Sequence, residues 1–105
     1  MADPLDSVNS ETFKQQLHTS FQVRSGDSEP ISMQLIDVRE PPTAPGSELF
    51  CLHFRGPSSP RLPQKIWRFQ HEKIGALDLF MTAVGADETG IVYEVVFHRL
   101  RIKRT

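Results

Sequence analysis

Past residue 20 the chain never holds one apolar spacing for long. Short runs of alternating apolar and polar residues follow one another, and proline or glycine interrupts each of them. Alternation with period two sends successive side chains to opposite faces of a pleated strand. No intervening segment has a helical period long enough to cross over between parallel strands, so the sheet is expected to be mainly antiparallel. About six strands can be read this way. With short connections bounded by glycine and proline, they predict an all-β fold, a small barrel or sandwich, preceded by one short N-terminal helix.

The central run, Glu48 to Arg55, sets Phe50, Leu52 and Phe54 on one face and Cys51, His53 and Arg55 on the other. Gly56-Pro57 closes it. Upstream, Phe21 to Arg24 alternates and stops at Ser25-Gly26-Asp27, a turn composition. Ile31, Met33 and Leu35 share one face, after which Ile36 and Val38 take the other. That change of phase predicts a bulge near Leu35 or Ile36, or a strand buried on both faces. Glu40 to Gly46 holds three prolines and cannot continue a ladder. Downstream, Lys65 to His71 places Trp67 and Phe69 inward, with Arg68 and Gln70 exposed. Leu77, Leu79 and Met81 point inward on the next strand, with Asp78 outward and Phe80 unexpectedly beside it. Gly85 to Gly90 reads as a hairpin loop. Ile91 to His98 is the strongest β run, and Arg99 to Arg104 keeps its alternation while becoming basic.

The helix is predicted from Ser10 to about His18. Asn9 caps it, and Glu11 lies in the first turn, where the helix dipole favours an acid. Val8 and Phe13 occupy the two positions of a hydrophobic staple. So short a helix needs a docking site, expected at one end or edge of the sheet.

At 105 residues this is a single domain, 1–105, with an N-terminal arm at 1–8 and a basic C-terminal extension at 99–105. A net charge of −1 gives no bulk attraction to nucleic acid or anionic membrane, and nucleic acid is not an expected partner. The one cysteine makes no internal disulfide. Asp3 and Asp6 stand where a signal peptide would carry bases, and no apolar run reaches the roughly 20 residues that cross a bilayer. A cytoplasmic protein with no membrane partner is the expectation.

Few residues invite chemistry. Cys51 and His53 leave the same strand face, but a metal needs further ligands. Glu94 and His98 share a face on their own strand and would supply them if that strand were a neighbour. A thiol nucleophile would need an orienting acid as well. A small buried thiol beside a half-exposed histidine explains the pair without either. Asp37, Glu40 and Asp78 read as solvated carboxylates, and Gly85 to Gly90 lacks the spacing of a phosphate loop. No cofactor is expected. The residues singled out for an interaction surface are Phe80 and the basic run Arg99, Arg101, Lys103 and Arg104. Trp67, Phe69 and Tyr93 would line the pocket of a ligand-binding barrel, the second reading. A metal- or thiol-dependent enzyme using Cys51 and His53 is the third.

The pattern as a whole resembles a small bacterial domain family of unknown function, often encoded near phage-tail-collar-like proteins. The resemblance runs from Glu11-Thr12-Phe13 and Phe21-Gln22-Val23 through Leu35-Ile36-Asp37-Val38-Arg39-Glu40 to Phe50-Cys51-Leu52-His53-Phe54-Arg55-Gly56-Pro57. It continues with Leu62-Pro63-Gln64, Gly75-Ala76-Leu77-Asp78-Leu79-Phe80, Val84-Gly85 and Tyr93-Glu94-Val95-Val96-Phe97. It implies a structural or accessory role in a tail-like assembly, through protein partners or self-association, and implies no catalytic residues. The leading expectation is therefore a non-enzymatic β-rich interaction module.

Overall fold

The computed structural model describes residues 8–100. One helix, α1 (Ser10–Lys14), precedes six strands: β1 (Ser20–Arg24), β2 (Ile31–Arg39), β3 (Ser47–Gly56), β4 (Lys65–His71), β5 (Gly75–Asp87) and β6 (Gly90–Leu100). All neighbours are antiparallel, and the order β1-β2-β3-β6-β5-β4 closes into a barrel through β4 and β1. Barrel, rather than sandwich, is the outcome.

The apolar phase of each run becomes the interior. Phe50, Leu52 and Phe54 of β3 are buried, as are Trp67 and Phe69 of β4, Leu77, Leu79 and Met81 of β5, and Ile91, Tyr93, Val95 and Phe97 of β6. Phe50 and Phe97 are direct cross-strand partners and stack at 4.5 Å between ring centroids. Such a pair contributes about 0.5–1.5 kcal/mol beyond the area it buries. Phe54 meets Phe21 edge-on at 5.1 Å and Phe69 at 4.9 Å, which ties three strands together across the interior.

The phase shift in β2 is a bulge. Leu35 pairs with Phe54, but the next pair is Asp37 with His53, so Ile36 is the extra residue. Past it, Val38 sits opposite the inward Leu52 and packs on the core, while Asp37 is carried outward beside His53. A second irregularity falls between Ala83 and Gly85 of β5. Ala83 stays opposite Tyr93, and Val84 is left exposed.

Two expectations are corrected. The helix is shorter than predicted: after Lys14 the chain makes turns, and His18 adopts φ 69° and donates its backbone N–H to Leu35 O at 2.7 Å. That bond to β2 redirects the chain before another helical turn can form. The loop at Gly85 to Gly90 is also shorter. Gly85 pairs with Val92, Ala86 with Ile91 and Asp87 with Gly90, leaving only Glu88 and Thr89 as the connection. Asp87 Oδ1 accepts the backbone N–H groups of Thr89 and Gly90, which tightens the turn. Val8, the staple position at the end of the arm, is buried in the core with Phe13. Residues 1–7 lie outside the described residues.

The cap at Asn9 is as expected, with Thr12 completing a reciprocal capping box. Phe13 enters the core among Phe21, Phe50 and Phe97. The connection before β4 is anchored from below: Leu62 N–H donates to Tyr93 Oη and Trp67 Nε1 donates to Pro63 O, both at 3.0 Å.

Candidate interaction surface

The outward face of β3 lies between β2 and β6. In register, His53 has Asp37 on one side and Glu94 on the other, and Cys51 has Arg39 and Val96. The strand bearing Glu94 and His98 is thus a neighbour of the Cys51 strand. His53 Nε2 is 3.0 Å from Glu94 Oε2, and because the carboxylate accepts, that nitrogen carries the proton. Asp37 bonds Arg39 instead, and this contact holds its carboxyl below the usual range. No group of three or more His, Cys, Asp or Glu side chains among the described residues could hold a metal ion. Burial pushes the Cys51 thiol up, Glu94 adds to that shift, and Arg39 opposes it. A thiol held protonated, with the neighbouring imidazole bonded to a carboxylate, has the opposite electrostatics from an activated nucleophile.

Trp67, Phe69 and Tyr93 are all packed in the core, and the polar atoms of Trp67 and Tyr93 hold the Leu62–Pro63 connection. The basic residues divide. Arg99 belongs to β6, where its guanidinium donates to Glu48 on β3 at 2.6 Å and to the backbone oxygen of Val8. It lies 5.5 Å from the Phe97 ring and 5.9 Å from the Phe50 ring, so it ties the start of the chain to the end of the barrel. Arg101, Lys103 and Arg104 lie outside the described residues.

Phe80 is outward and 52% exposed, as its phase predicts. Its direct partner across β4 and β5 is Ile66, 62% exposed. Sequence reasoning passed over Ile66, although it shares the outward phase of Arg68 and Gln70. One rung further, Arg68 and Asp78 form a two-pronged ion pair at 2.9 and 3.0 Å. Val96 on β6 is also exposed, at 53%. Beside Ile66 a cleft of about 500 Å³ opens between β4 and the turn after β1. Single exposed apolar residues are ordinary on a protein surface, but two in direct cross-strand register beside a charged rung form a small patch.

These features define a small closed antiparallel β-barrel with an aromatic interior and an apolar outward pair, built without a metal cluster among the described residues. The family model described as domain of unknown function DUF6916 matches residues 8–97, and the chain belongs to that family. No curated protein and no solved structure matches it. No helix among the described residues is long and apolar enough to cross a membrane.

Proposed function

We propose that this domain is a non-enzymatic interaction module that binds a protein partner through the outward face of β4 and β5. The observation that carries the reading is the Ile66–Phe80 pair, two large apolar side chains in direct register, each more than half exposed. The barrel has enough other apolar residues to fill its interior, so these two are not held outward for want of a core. The state of Cys51 and the bond between His53 and Glu94 favour this reading over thiol chemistry. The resemblance drawn from the sequence makes a component of a phage-tail-like particle the partner to test first.

The test is affinity purification of tagged full-length chain from the cells that encode it, alongside an Ile66→Ser/Phe80→Ser variant. A tail or collar component retained by the first and lost by the second supports the proposal. Equal recovery by both, or recovery of nothing by either, contradicts it.

A further inference from the structure

The ladder that closes the barrel is short. β1 and β4 pair only at Gln22–Gln70, Val23–Phe69 and Arg24–Arg68. β4 begins three residues earlier, and among the described residues Lys65, Ile66 and Trp67 pair with β5 alone. Continuing the register would bring Ser25, Gly26 and Asp27 opposite those three. Instead the chain turns away there: Ser28 N–H donates to Ser25 O, Ser25 N–H to Ser28 Oγ, and Gly26 takes φ 56°. These two bonds fold the turn back on itself, and no strand among the described residues pairs the Lys65–Trp67 edge opposite β5. The 500 Å³ cleft is this gap, lined by Arg24 to Asp27 on one side and by Ile66 to Arg68, with Asp78 paired to Arg68, on the other.

We propose that the Lys65–Trp67 edge accepts an extended peptide of a partner protein as an added strand, which continues the sheet where β1 leaves it. This rests on the interaction-module reading and gives its partner a chemistry. An unpaired strand edge offers backbone donors and acceptors in a row, and three residues span roughly 10 Å, the reach of a short extended segment. The outward side chains select the sequence. An apolar residue of the peptide would extend the Ile66–Phe80 row. An acidic residue would meet Arg24, which has no carboxylate partner among the described residues and faces Arg68 directly across the seam. Arg68 is neutralised by Asp78. Arg24 is therefore the cation of this seam left for an anion of the peptide to meet.

The test uses full-length, ¹⁵N-labelled chain and a capped eight-residue peptide alternating valine and glutamate. Two control peptides carry lysine for glutamate, or proline at the centre. The expected result is amide shifts confined to Lys65–Arg68 and Ser25–Asp27. Affinity should fall at least tenfold with Arg24→Glu, and binding should vanish with the proline peptide. Equal binding of the lysine peptide, or no shift at millimolar peptide, overturns the proposal. Shifts around Phe80 that spare the Lys65–Trp67 amides overturn strand addition while leaving the broader module reading in place.

Discussion

His71 is the one buried polar residue of the described chain, and its environment makes a pH-dependent prediction. Its Nδ1 accepts the backbone N–H of Lys73 at 3.0 Å and that of Ile74 at 3.4 Å. Nε2 must then carry the proton and donate to Thr19 Oγ1 at 2.9 Å, while Thr19 donates onward to Gln16 O. The neutral ring thus joins the β4–β5 turn to the chain between α1 and β1, with the Phe21 ring 4.4 Å away. A second proton would have to enter at Nδ1, where two N–H groups already point. Burial lowers the pKa of His71 from 6.5; Glu72 nearby opposes the shift and Lys73 adds to it. An open cleft lies beside His71, and its other lining residues, Gln15, Gln16, Ser20, Gln22 and Gln70, are uncharged. Below about pH 6.5 the unfolded chain therefore binds a proton that the folded chain resists. The contribution of His71 is complete above that pH and is lost as pH falls toward the folded pKa. Replacing the ring by His71→Leu keeps apolar contact with Phe21 but removes three hydrogen bonds. At about 0.5–1.5 kcal/mol each, and with the turn amides partly open to water, the loss is about 2–3 kcal/mol at pH 7.5. Urea unfolding at pH 7.5 and 5.5 measures both quantities. The variant should be less stable at pH 7.5, and the gap to the unsubstituted chain should narrow at pH 5.5. A gap that stays constant or widens would refute the neutral, Nε2-protonated assignment.

Three other expectations follow from the geometry. A Cβ on Gly90 would lie 2.0 Å from Gly56 O, and φ is 151°, so Gly90→Ala should cost about 2–5 kcal/mol by urea titration; Gly85→Ala, whose Cβ meets nothing within 4 Å, should cost less than about 1 kcal/mol. Tyr93→Phe removes the acceptor of a buried Leu62 N–H and should destabilise by about 1–3 kcal/mol, with heat or urea as the probe. Cys51 should alkylate more slowly at pH 7.5 than a free thiol, and Glu94→Gln should quicken the reaction; an intrinsically fast thiol would reopen the nucleophile reading.

Much of the barrel was legible because it depends on local alternation. The inward sets on β3 to β6 follow directly from parity, and the β2 bulge showed as a change of phase between Leu35 and Ile36. Phe80 stood out for the same reason, as an aromatic residue in an outward phase. Closure was not legible, since pairing β1 with β4 joins Gln22 to Gln70 across a long intervening chain and leaves no local mark. Ile66 was passed over because Trp67 beside it dominated the reading, and its exposure depends on which strand face is covered. The end of α1 was misplaced because the bond from His18 to Leu35 is a tertiary contact that no helix propensity encodes. The role of His71 was likewise hidden, since its partner Thr19 is distant in sequence.

The barrel closes through a short β1–β4 seam that, among the described residues, leaves one end of β4 unpaired. Native-state hydrogen exchange resolved by residue tests it most directly. The paired amides of β3 and β6, joined from Ser47–Leu100 to Gly56–Ile91, should exchange only through global unfolding, and those of Gln22–Arg24 and Arg68–Gln70 through smaller openings. At least one amide within Lys65–Trp67, on the side away from β5, should exchange as fast as an exposed loop. Protection of all three at the level of β3 and β6 would contradict the open edge, and with it the proposed binding site.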